Sequence, residues 1–107
     1  MKVLGVRHFG IPAQDLENSV EFYRGLGFEV KTSGADIING QSIDWIKMEN
    51  KDGDCIELLK GGFAGPHLAV EVEAVDRGAY YFMTPSGHKV QFGFDPAGFL
   101  VEYVETP

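Results

Sequence analysis

The sequence predicts an α+β fold built from two β-rich modules in tandem. Three observations lead there. A His-then-Glu order occurs twice, one apolar stripe repeats at helical spacing, and Gly/Pro turns cut the remainder into short alternating segments. His8 opens the first strand and Glu57 lies in the last strand of the first half. His67 opens the second half and Glu102 lies in its closing strand. The 107 residues suffice for a single domain, with module one at about 1–61 and module two at about 66–107.

The elements follow in order. Residues 2–9 alternate, with Leu4, Val6 and His8 on one face and Val3, Gly5, Arg7 and Phe9 on the other. Gly10 and Pro12 are read as its end. Asp15 is an N-cap for a helix whose Leu16, Val20 and Tyr23 form one stripe, stopped by Gly25 and Gly27. Phe28–Thr32 reads as a strand, and the stretch on to Gly40 carries no assignable pattern. Ser42–Glu49 reads as a strand, Lys51–Asp54 as a type I′ hairpin turn around Asp-Gly, and Cys55–Leu59 as a strand with Cys55, Glu57 and Leu59 on one face. A Gly/Pro loop then leads to a strand over His67–Glu73.

The halves now diverge. Only Ala74–Ala79 stand where a second helix belongs, before the aromatic run Tyr80–Phe82. Six helical residues span about 9 Å, too little to return along a strand of about 20 Å. The stretch is therefore expected to leave module two without a covering layer. Pro85–Gly87 and Asp95–Gly98 are turns, flanking strands at His88–Phe94 and Phe99–Glu105.

Composition narrows the function. A net charge of −7 with scattered cations argues against nucleic acid and anionic membrane as partners. One cysteine, Cys55, excludes an internal disulfide framework and fits a reducing, cytoplasmic setting. Arg7 and His8 interrupt the apolar start, which reads as neither a signal peptide nor a membrane span. The expected partner is a small molecule.

Glu102 shares its strand face with Leu100 and Val104, Glu57 with Cys55 and Leu59, and His8 with Leu4 and Val6. A carboxylate on an apolar face must be paired, protonated or metal-bound, because burying it bare costs several kcal/mol. Taken singly, each residue has an ordinary explanation as a solvated or hydrogen-bonded side chain. Four in register within a repeat shift the balance. Two neutral imidazoles and two carboxylates neutralise a divalent ion and leave two octahedral positions open. The mixed N/O set suits Ni, Co, Zn, Fe(II) or Mn, and ligand type does not choose among them. Arg7 and Lys89 are candidates to meet an anionic substrate, and Trp45, Tyr80 and Tyr81 to line a pocket, although each also reads as a surface or packing residue. His88, after Pro-Ser-Gly, reads as a turn residue.

Three stretches carry a resemblance. Arg7–Phe28, with its strand, turn and helix, Pro66–Val72, and Asp95–Val104 with its Asp-Pro-Ala-Gly turn together cover nearly the whole chain. The chain resembles the vicinal oxygen chelate, or glyoxalase/bleomycin resistance/dioxygenase, superfamily. The resemblance implies paired βαβββ modules with curled mixed sheets around a metal, the second module here being shortened and lacking most of its helix. It implies His8, Glu57, His67 and Glu102 as metal ligands, a set similar to that of metal-dependent glyoxalase I.

The leading expectation is therefore a lyase or isomerase of glyoxalase type. It would act on a substrate with vicinal oxygens by proton transfer through an enediolate, with Glu102 as base and Glu57 as second choice. The competing expectation is a non-catalytic antibiotic-binding protein of the bleomycin-resistance kind. Extradiol dioxygenase and thiol-transfer activities use similar ligand sets. A homodimer is expected, because the apolar surface of the helix-poor second module needs a cover.

Overall fold

The computed structural model describes residues 1–38, 40–61 and 65–107. The Gly/Pro loop expected between the halves falls partly on residues 62–64, outside the described residues. The chain divides into two compact units, one of His8–Pro66 and one of Met1–Arg7 with His67–Pro107. The α+β class holds: the described residues form one helix and strands in both parallel and antiparallel pairs. None of the described helices is long and apolar enough to cross a membrane.

In the His8–Pro66 unit, α1 (Leu16–Gly25) packs on strands ordered β2 (Glu29–Ile38), β3 (Gln41–Glu49), β4 (Cys55–Gly61) and the second half of β1 (Val3–Pro12). The pairs β2/β3 and β3/β4 are antiparallel, and β1/β4 is parallel. The helix starts where expected, because the Asp15 carboxylate accepts from the Asn18 N–H at 3.1 Å. It stops at Gly27, whose φ of 100° lies in the left-handed region; there the Phe28 N–H reaches back to the Tyr23 carbonyl at 3.1 Å. Val20 packs with Met48, Ile56 and Leu58, flanked by Leu16, Tyr23, Ile11, Phe28 and Ile46. Met48 and Leu58 are fully enclosed, and each such side chain stabilises the fold by about 1.5–3 kcal/mol.

Two local details differ from the sequence expectation. Of the unassigned stretch before Gly40, residue 39 lies outside the described residues and Ser33–Ile38 belongs to β2, where Gly34 stands because the Trp45 ring lies across it. A Cβ there would sit 2.7 Å from the ring. The β3–β4 turn is wider than a two-residue type I′ turn. The Asn50 side-chain oxygen accepts the N–H groups of Asp52 and Asp54, and Gly53, with φ of 83°, donates to the Asn50 carbonyl.

In the other unit the order is the first half of β1, β5 (His67–Val72), β8 (Leu100–Glu105), β7 (Lys89–Phe94) and β6 (Phe82–Met83). β5/β8 is parallel, while β7/β8 and β6/β7 are antiparallel. No α-helix occurs among its described residues. The expectation that Ala74–Ala79 make no covering layer fails here. Val75, 3 % exposed, packs on Val70 and Val72 with Leu68, Tyr81, Val101 and Tyr103 around them.

The reason is that side chains replace the hydrogen bonds a helix would make internally. The Val75 N–H donates to Glu105 at 2.9 Å, and the Asp76 N–H to the Gln91 Oε1 at 3.0 Å. Gln91, itself buried, returns its amide to the carbonyls of Asp76 and Tyr80. Arg77 grips Glu105 with two bonds of 2.8 and 3.0 Å and lies over the Tyr81 ring. The Arg77 hydrogen bond, and then the Val75 N–H, lower the Glu105 carboxyl to about 2.

Candidate metal centre

The four candidate ligands fall into two pairs, one inside each unit, built by the same rule. In the His8–Pro66 unit the parallel β1/β4 ladder sets Gly10 opposite Glu57, and His8 stands two residues before Gly10 on the same face. Alternation sends Ile11, Ile56 and Leu58 to the helix and turns Glu57 the other way. His8 Nδ1 and Glu57 Oε2 lie 3.8 Å apart, with side chains 5 % and 19 % exposed.

In the second unit the parallel β5/β8 ladder sets Ala69 opposite Glu102, with His67 two residues before Ala69. His67 Nε2 and Glu102 Oε1 lie 3.9 Å apart, with side chains 2 % and 17 % exposed. Each unit thus places a glutamate opposite the residue two beyond a buried histidine.

The donor chemistry and spacing fit a metal. Separations of 3.8 and 3.9 Å are too long for a direct hydrogen bond. Two ligands each about 2.1 Å from one ion stand about 3.0 Å apart at a right angle and about 4.2 Å apart when opposed. Both observed pairs fall inside that range. An imidazole and a carboxylate per unit are donors that borderline divalent ions accept.

What surrounds the pairs differs. Around Glu102 the ladder partners are Ala69 and Phe92. The Phe92 ring stands edge-on to His67 at 6.3 Å and stacks on Phe82 at 6.1 Å. Across from Glu57 stands Lys47, and across from Leu59 stands Trp45, whose indole N–H donates to Asp36 at 3.1 Å. Sequence reading missed Lys47, Phe82 and Phe92 as neighbours of the pairs, because cross-strand register decides them and no local pattern reports it.

The other candidates lie elsewhere in their units. Arg7 pairs with Glu71 at 3.4 Å, and Lys89 with Glu105 at 3.5 Å. Tyr81 belongs to the cluster around Val75, and Tyr80 is exposed. His88 sits in the β6–β7 turn with its Nδ1 2.8 Å from the Ser86 hydroxyl, as expected of a turn residue.

The sequence profile of the Glyoxalase/Bleomycin resistance protein/Dioxygenase superfamily matches residues 5–82. No curated protein matches the chain. Among solved structures, a methylmalonyl-CoA epimerase superposes with a TM-score of 0.70 at 16 % identity, over 100 % of this chain and 98 % of its own. A glyoxalase family protein from Bacillus cereus gives 0.53 at 14 % identity, over 98 % and 95 %. A mutant of 4-hydroxymandelate synthase from Streptomyces coelicolor gives 0.59 at 18 % identity, over 95 % of this chain and 48 % of the synthase.

Proposed function

Because the chain belongs to the glyoxalase/bleomycin resistance protein/dioxygenase superfamily, we propose that it is a metal-dependent lyase or isomerase of glyoxalase type. In this reading His8, Glu57, His67 and Glu102 hold one divalent ion. The substrate is a small molecule with adjacent oxygens. The observation that carries the reading is the duplicated pair, a buried histidine and a glutamate 3.8 and 3.9 Å apart at equivalent places in two parallel ladders. When bound, the ion supplies Lewis-acid stabilisation of negative charge developing on substrate oxygen.

The protein's own groups then divide the work. Glu57 has Lys47 at the register position across the ladder, whereas Glu102 has hydrocarbon at both register positions beside it, Ala69 and Phe92. Glu102 is accordingly the carboxylate assigned to take a proton from one carbon and return it to the next, with Glu57 second. Phe82, Phe92 and the buried His67 ring limit water on that side, which strengthens the electrostatics of the transfer. Epimerisation of the kind named for the methylmalonyl-CoA neighbour is also a proton transfer at carbon, which supports the reaction class.

The test is turnover of a 2-oxoaldehyde–thiol adduct by metal-loaded protein. The wild type is expected to convert it, and Glu102→Gln to lose conversion while retaining the fold. A loaded wild type that binds such adducts without turning them over would favour a sequestering, bleomycin-resistance type of binder.

The same reading includes a homodimer and a cytoplasmic setting. Val3, Leu4 and Val6 on β1 and Phe94 and Phe99 near β8 are exposed apolar side chains, and a second copy is the commonest cover for such surface. Light scattering at micromolar concentration is expected to give the mass of two chains.

A further inference from the structure

Lys47 stands out among the cations. Lys2, Arg7, Arg24, Lys31, Arg77 and Lys89 each have a carboxylate within ion-pair distance. Lys51 and Lys60 are exposed. Lys47 is half-buried, and among the described residues it has no carboxylate within that distance. Glu49, two residues along β3, already holds Lys31 at 2.8 Å and feels Lys47 through space. A half-buried lysine that is not spent on an ion pair rests its stem on the sheet and leaves its ammonium available to a ligand.

The register gives the use. Lys47 lies directly across β3/β4 from Glu57, so both side chains leave the same face, opposite the helix. On that face Thr32 lies beside Lys47 and Trp45 follows two residues away, opposite Leu59. The Trp45 ring is fixed by its bond to Asp36 and by lying flat across Gly34, which has no Cβ to lift it. Beside a candidate metal ligand the unit therefore offers one cation, one hydroxyl and one immobilised aromatic surface.

We propose that Lys47 is the residue that selects a carboxylate-bearing substrate, with the Trp45 ring as the apolar floor under the carbon chain between the carboxylate and the chelating oxygens. This rests on the chelate reading above and adds the chemical class of the substrate. A single ammonium balances a monoanion. A phosphate dianion would call for more donors than this face carries and would be repelled by a chain of net charge −7. Neutral chelators would gain nothing from Lys47.

The experiment uses two hydroxamates that chelate a metal alike, acetohydroxamate and 3-carboxypropanohydroxamate, titrated into zinc-loaded protein. The chain's only tryptophan is Trp45, so its fluorescence reports binding beside the site. Wild type is expected to bind the carboxylated probe about tenfold or more tightly than acetohydroxamate, as one charge-assisted contact provides. In Lys47→Met and Lys47→Gln the ratio is expected to collapse to about one, with the wild-type ratio shrinking as salt is raised. A wild type that binds both probes equally overturns the assignment of Lys47 and leaves the chelate reading standing. A preference retained in both variants also overturns it. Failure of both probes to bind zinc-loaded protein removes the chelate reading and the Lys47 proposal with it.

Discussion

The two units cover the helix-side faces of similar ladders in different ways. In the His8–Pro66 unit a capped helix brings its own backbone hydrogen bonds and contributes Leu16, Val20 and Tyr23 to the core. In the other unit the segment after β5 has no helical ladder, and Gln91 and Glu105 on the sheet supply partners for its backbone. The opposite faces nevertheless carry the same His/Glu arrangement. What is held constant between the halves is the register of a parallel ladder, while the cover tolerates replacement. A short segment suffices as cover when buried polar side chains of the sheet satisfy its amides and carbonyls, because orphaned buried backbone groups are what make short segments costly.

That contrast can be broken most sharply at Gln91. Replacing it with Leu keeps the volume and removes three hydrogen bonds, so Gln91→Leu is expected to destabilise the protein by about 2 kcal/mol in urea unfolding. A neutral result would mean that apolar packing alone holds the segment.

The same segment carries a pH signature. The Glu105 carboxyl is lowered from its ordinary 4.5 to about 2. Its contribution is therefore complete above about pH 4.5 and is lost as pH falls towards 2, since the unfolded chain binds the proton first. Glu105→Gln is expected to flatten that part of the acid unfolding curve, and an unchanged curve would count against the clasp. The smallest expected effect lies on the helix. Asp15→Ala removes the cap and should cost about 1 kcal/mol, measurable as a lower urea midpoint with unchanged slope.

Much of this was legible in the residues because alternation and caps are local signals. Asp15, Gly27, the Leu16/Val20/Tyr23 stripe and the opposed faces of Cys55–Leu59 all sit where the pattern puts them. The His/Glu order was visible as a repeat, and the structure sets each histidine beside its glutamate. Three features were not legible, each for a physical reason. β2 runs through Ser33, Gly34 and Asp36, poor strand formers whose presence follows from the Trp45 ring lying across Gly34 and bonding Asp36. The cover over Val70 and Val72 depends on Gln91 and Glu105, far along the chain from the amides they bind. Lys47 becomes a neighbour of Glu57 only once β3 and β4 are in register.

The central claim is that the two pairs serve one ion. Zinc stoichiometry and affinity by equilibrium dialysis, on wild type, His8→Ala and His67→Ala purified without chelator, test it most directly. One ion per chain is expected, with either substitution weakening binding by about 100-fold or more, because each removes a ligand from the same centre. Two ions per chain, or one histidine variant that keeps wild-type affinity, would contradict it.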